Sequence, residues 1–172
     1  MSNTDVYTDG GCHGNPGRGG WAAMIYDGPR PLEISGYETD TTNQKMELRA
    51  AIEGLKYLEQ PSQVRLYSDS AYVINGMKQR WYLKWEQNGW KTANKKPVKN
   101  ADLWEEVVRL SRHHTVEWIM VKGHAGIPAN ERCDALVRLE MARGGGFRCR
   151  RSMGFSASAS VMAIITGKRI QS

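Results

Sequence analysis

Val6-Tyr7-Thr8-Asp9-Gly10-Gly11 decides the fold, because it reads as a short buried strand that delivers a carboxylate into a glycine-rich bend. Sixty residues on, Arg65-Leu66-Tyr67-Ser68-Asp69 repeats the order Tyr, small hydroxyl, Asp. With the two-residue period of a strand, Tyr7 and Asp9 share one face, as do Tyr67 and Asp69. Ligands of open α/β sheets bind beyond the carboxyl ends of the strands, so two strand ends that each present an acid are the seed of a site.

Working outward, Gly10 to Gly20 is a turn-rich loop without the spacing of a dinucleotide fingerprint or a P-loop. Trp21 to Tyr26 and Leu32 to Tyr37 read as strands parted by the turn Asp27-Gly28-Pro29-Arg30-Pro31, an antiparallel meander with the first strand. Thr41 and Gln44 have capping-box spacing and open a helix to about Glu59, stopped by Pro61. A helix between strands of one sheet implies a right-handed parallel crossover, which puts Asp9 and Asp69 on the same side. Ala71 to Lys78 and Ala101 to Arg112 read as helices, Val116 to Val121 as an apolar strand, and Ile127 to Ala142 as a last helix with Pro128 in its first turn. The expected class is α/β: a five-stranded mixed sheet, three antiparallel strands followed by parallel crossovers, flanked by helices. Residues 1–143 form the expected domain. Residues 144–172, opened by Gly144-Gly145-Gly146 and without a period, read as a basic, disordered extension.

Two further acids lean inward. Glu47 stands over Ala51, Gly54 and Leu58 at the edge of the first helix's apolar stripe, and Asp134 lies one turn from Asn130 beside Val137 and Met141. A Glu near a helix start can simply answer the helix dipole. A carboxylate turned toward a core, however, must be paired, neutralised or bound to a cation. His124, in the loop Lys122-Gly123-His124-Ala125-Gly126, follows a strand and precedes Asp134; a lone loop histidine is commonly unremarkable, but this position sets it apart.

The formal charge of +6 is uneven. Residues 144–172 hold five of the 24 bases and no acid, leaving 19 bases against all 18 acids in the rest. Within that near-neutral body, Lys78 to Lys99 carries seven bases against Glu86, interleaved with Trp81, Trp85 and Trp90. Such a stretch suits a phosphate backbone with rings packed on sugars or bases, or else a solvated loop with structural tryptophans. Three cysteines without a CxxC pair suggest neither a disulfide framework nor zinc, which fits a reducing, cytoplasmic setting. The longest late apolar run, Val161 to Ile165, is far short of the roughly 20 residues of a membrane span.

Asp9, Glu47, Asp69 and Asp134 come from four separate elements, and four carboxylates cannot crowd together ionised without help. All-oxygen ligands point to Mg²⁺, with Mn²⁺ as substitute, rather than zinc. A pair of such ions is the usual arrangement for phosphodiester cleavage.

Tyr7-Thr8-Asp9-Gly10, Thr42 to Glu47, Ser68-Asp69-Ser70 and Gly123 to Gly126 followed by Asn130 to Asp134 together resemble bacterial type 1 ribonuclease H. Gly89 to Thr92 through Lys95 to Asn100 resembles that family's basic protrusion. The resemblance runs in order over residues 1 to about 142. It implies an endonuclease that hydrolyses the RNA strand of RNA/DNA hybrids and leaves 5′-phosphate and 3′-hydroxyl ends. It implies that Asp9, Glu47, Asp69 and Asp134 bind two Mg²⁺ ions, and that His124 is a mobile catalytic group assisting proton transfer or product release. Asn15, Asn43 and Gln44 are then assigned to the RNA minor groove, where the 2′-hydroxyl marks RNA, and Thr42 to a phosphate of the DNA strand. Trp81, Trp85, Lys99 and Asn100 belong to the DNA-binding channel and protrusion. A monomer is expected on the same ground. Glu86-Gln87-Asn88 is less basic than the family's protrusion, Ala71 and Ile127 replace residues commonly polar there, and the chain past Arg143 resembles nothing in the family. The rival readings are a hybrid-binding module without activity and a DNA-cutting relative of the same fold.

Overall fold

The computed structural model describes residues 3–144 and 148–151. β1 (Asn3–His13), β2 (Gly17–Tyr26) and β3 (Leu32–Thr41) form an antiparallel meander. α1 (Asn43–Tyr57) then crosses to β4 (Gln63–Ser68), which lies parallel to β1. α2 (Ala71–Lys78), α3 (Trp81–Gln87) and α4 (Ala101–His113) lead to β5 (Thr115–Met120), parallel to β4, and α5 (Pro128–Arg143) follows. The α/β class and the crossover are as the sequence implied. The sheet, however, has six strands, in the order β5-β4-β1-β2-β3-β6.

The sixth strand corrects the five-strand expectation and comes from the extension. β6 (Arg148–Arg151) pairs antiparallel with β3, from Leu32 opposite Arg151 to Ser35 opposite Arg148. Arginines carry no strand period, so the sequence gives no sign of it; edge pairing of backbone groups makes this strand. Arg148 Nε also lies 3.6 Å from Glu140 Oε1, a buried carboxylate on α5 that accepts a 2.8 Å hydrogen bond from Ser35 Oγ. The rest of the extension, which the sequence reads as disordered, lies outside the described residues.

Strand alternation sorts the sheet's two faces. Val6, Leu66 and Trp118 join the larger core with Leu48, Ile52 and Leu55 of α1 and Trp104 and Val107 of α4. On the opposite face, Ala22 and Met24 of β2 pack with Cys133 and Val137 of α5. Arg132 of α5 donates bidentate hydrogen bonds of 2.7 and 3.0 Å to the buried Glu33 of β3, tying the helix across the sheet. In the parallel register Tyr7 sits opposite Tyr67 and their rings stack at 4.4 Å, so Asp9 and Asp69 each follow two residues beyond one shared level.

Local differences have local causes. Thr42, not Thr41, caps α1 by accepting a 3.2 Å bond from the Lys45 N–H, and Thr41 is buried instead. α3 is a helix within the basic, tryptophan-bearing stretch, and its N-cap Arg80 sits in the left-handed region (φ 55°) without a side-chain cap, so the sequence carries no start signal for it. Trp81, Trp85 and Trp90 are half-buried rather than free rings. Trp85 and Trp81 meet the fully buried Trp104 edge-on or tilted, at 5.4 and 6.2 Å, and Trp90 lies against Trp85 at 5.8 Å.

Candidate active site

A close approach of backbone sets the site. Gly10 follows Asp9 on β1, and a Cβ there would overlap the Met46 carbonyl and the Glu47 amide of α1. The missing side chain lets the helix sit on the strand, which brings Glu47 toward Asp9 from the opposite layer. Asp69 follows the last residue of β4, and the β5–α5 loop closes over it. A Cβ on Gly123 would lie 2.8 Å from Asp69 Oδ2, so this loop also needs glycine where it meets the carboxylate. His124, next in the chain, is exposed with φ 56°.

Electrostatics joins the acids. Burial, first, and then the charges of Asp69, Asp134 and Glu47 together push the Asp9 carboxyl up to about 7, against a backbone hydrogen bond from Gly10. Burial also raises Glu47, opposed by a hydrogen bond from Ser70 and helped by Asp69. All four sequence-derived acids therefore belong to one neighbourhood. Two are engaged by other side chains: Glu47 Oε2 accepts a 2.6 Å bond from Ser70 Oγ, and Asp134 Oδ2 accepts one from Arg138 Nη2. Among the described residues no three His, Cys, Asp or Glu side chains are grouped closely enough to hold a metal ion. The donor set itself, all oxygen and short of compensating charge, fits a hard divalent cation.

An open polar groove runs from these acids. Glu47, Asp69 and Ser70 line it with Asn15, Thr42, Asn43, Gln44 and Lys99. Asn15 Oδ1 accepts a 3.1 Å bond from the Asn43 N–H, which fixes the β1–β2 loop against the start of α1. Beyond Lys99, Asn100 Nδ2 donates to Tyr72 Oη at 3.2 Å, and Tyr72 borders both the groove and the tryptophan cluster holding Trp81 and Trp85. The tryptophans thus form a wall next to the groove and do not line it. Glu86, which lowers the charge of the protrusion, is paired with Arg112 of α4 at 2.7 and 2.9 Å and anchors α3 to α4.

The family model described as RNase H matches residues 1–142. The chain belongs to the ribonuclease H family. Ribonuclease H of Acetivibrio thermocellus is 53% identical over 143 residues, spanning 83% of this chain and 97% of its own length. LC9-RNase H1, a type 1 RNase H with the type 2 active-site motif, matches in structure with a TM-score of 0.75 at 30% identity, covering 95% of this chain and 81% of its own. LC11-RNase H1, solved in complex with RNA/DNA hybrid, shares the fold with a TM-score of 0.61 at 23% identity, covering 79% and 94% of the two chains.

As a ribonuclease H, the protein is a hydrolase. Two residues of this ribonuclease H site receive no role from the sequence reading. Ser70 shows only as a hydroxyl ahead of a helix, and its bond to Glu47 spans 23 positions. Arg138 shows only as an exposed base, although its spacing of four from Asp134 is a usable helical signal.

Proposed function

We propose that this ribonuclease H is an endonuclease that hydrolyses the RNA strand of RNA/DNA hybrids, giving 5′-phosphate and 3′-hydroxyl ends. One observation carries the reading: the groove that holds Glu47 and Asp69 continues directly onto Asn15, Asn43, Gln44 and Lys99. Neutral amides beside the acids can bond 2′-hydroxyls and base edges in a shallow minor groove, while Lys99 answers a phosphate backbone. LC11-RNase H1, of the same fold, is bound to such a hybrid.

Asp9, Glu47, Asp69 and Asp134 are the proposed holders of two divalent cations, Mg²⁺ with Mn²⁺ as substitute. When bound, these ions supply the Lewis acidity that phosphodiester hydrolysis requires. The chain's own groups do the rest. Asn15, Asn43 and Gln44 orient the RNA strand, and Thr42 and Asn100 with Lys99 hold the DNA strand. Trp81 and Trp85 stiffen the wall beside that channel. His124, exposed on a loop that touches Asp69, takes or returns a proton at its imidazole and eases product departure. The protein is read as a monomer in a reducing cytoplasm, in keeping with three cysteines that form no disulfide, and no helix among the described residues is long and apolar enough to cross a membrane.

A labelled hybrid tests the reading against RNA/RNA and DNA/DNA duplexes of the same sequence, with Mg²⁺ and with EDTA. Cleavage of the RNA strand of the hybrid alone, dependent on Mg²⁺, is expected. Binding without cleavage would favour the inactive hybrid-binding module instead.

A further inference from the structure

We propose that Arg138 is a built-in counter-cation that occupies Asp134 while no divalent ion is bound and competes with that ion for the carboxylate. The inference rests on the reading of the four acids as a cation site. α5 places Asp134 and Arg138 one turn apart, with the acid on the N-terminal side, the favourable order for a helical ion pair. Arg138 Nη2 donates directly to Asp134 Oδ2. Asp134 is at the same time one of the charges felt by Asp9, so the oxygen that Arg138 engages belongs to the acid cluster and not to an unrelated surface pair.

The division of partners among the four acids is uneven. Glu47 is answered by a neutral hydroxyl, Ser70 Oγ, and Asp9 by the Gly10 backbone. Among the described residues Asp134 is the member of the set with an arginine on it. No other base of that helix is placed to substitute: Arg132 is committed to Glu33 across the sheet, and Arg143 stands in the last turn. The Arg138 side chain is 68% exposed against 27% for Asp134. A pair so open to water is worth little, so the guanidinium relieves the cluster's repulsion yet yields readily to a doubly charged ion.

Arg138 is thus a positioning residue that sets how strongly a cation binds, and not a group that touches the reacting atoms. Removing it deletes the competitor, and the cation then binds more tightly. From the usual strength of an exposed pair the gain is roughly two- to fivefold in Kd.

Calorimetric titration of the full-length protein with MgCl₂ and with MnCl₂, without nucleic acid, provides the test. Arg138→Gln is expected to bind roughly two- to fivefold tighter than wild type, with Arg138→Lys in between. Arg143→Gln removes the same charge from a position about 13 Å along the helix from Asp134 and is expected to leave affinity unchanged. In wild-type protein the Arg138 Nε–H resonance should move on saturation with Mg²⁺. Equal or weaker binding by Arg138→Gln, equal tightening by Arg143→Gln, or an unmoved Arg138 resonance would each overturn the inference. A wild-type protein that binds neither ion overturns the cation-site reading itself, a separate result.

Discussion

Ser70 Oγ donates a 2.6 Å hydrogen bond to Glu47 Oε2 and accepts one of 3.3 Å from the Val73 N–H, so one hydroxyl both caps α2 and holds an acid of the site. Ser70→Ala removes both. Loss of the cap costs about 1 kcal/mol of stability. Without the donor that opposes burial, the Glu47 carboxyl rises further, and Mg²⁺ binding weakens on the acid side of neutrality. Chemical denaturation and calorimetry at pH 6 and pH 8 check the two effects; unchanged Mg²⁺ affinity at both would remove Ser70 from the site.

Asp9 gives a pH signature. Burial and the neighbouring acids push its folded carboxyl up to about 7 from an ordinary value of 3.8, so folding favours the protonated form, and stability falls as pH rises from about 4 to about 7 and levels off above that. Asp9→Asn, which stays neutral, is therefore expected to be more stable than wild type in EDTA at pH 8, by about 1–3 kcal/mol. The advantage should vanish below pH 4, where Asp9 is protonated in both folded and unfolded chains. The same variant should lose hybrid cleavage while retaining hybrid binding. Denaturation across this pH range and a cleavage assay decide both.

The Arg132–Glu33 pair secures α5, and with it Asp134, to the sheet. Arg132→Ala strands a buried carboxylate and is expected to destabilise by about 2–3 kcal/mol, the scale of a broken buried pair reduced for its half-exposed arginine. Glu33→Gln combined with Arg132→Ala should recover much of the loss, a pattern that a double-mutant cycle reads directly.

Truncation after Arg143 removes β6. Cleavage is expected to persist, because the strand lies at the sheet edge beyond β3, opposite to β4 and its Asp69. Stability should fall by about 1–2 kcal/mol, since Glu140 loses Arg148 and the backbone of β3 loses its partner. Equal melting temperatures for the truncated and full chains would show that the strand adds nothing.

What the chain reveals in one dimension follows from what is periodic in it. The echo of Tyr7-Thr8-Asp9 in Tyr67-Ser68-Asp69 marked two strand ends that each carry an acid, the helix between them implied the parallel crossover that sets both on one side, and the apolar spacing of α1 and α5 turned Glu47 and Asp134 inward. Signals failed where the cause was tertiary. The capping-box spacing of Thr41 and Gln44 points one residue too early, because Thr41 is buried and Thr42 caps the helix instead. α3 begins without a capping side chain, and β6 is a run of bases that only a neighbouring strand edge turns into structure. Ser70 carries no mark of its partner, because which oxygen a hydroxyl reaches depends on rotamers and on the crossing of layers.

The contact of Gly10 with Met46 and Glu47 has an evolutionary consequence. The separation of the Asp9 and Glu47 backbones is fixed by direct main-chain apposition, with no intervening side chain whose size could be adjusted by substitution. Drift at position 10 is closed even to alanine, so adaptation of this enzyme to other temperatures or ions has to proceed through the periphery, at residues such as Ser70 and Arg138, and leaves the spacing of its centre untouched.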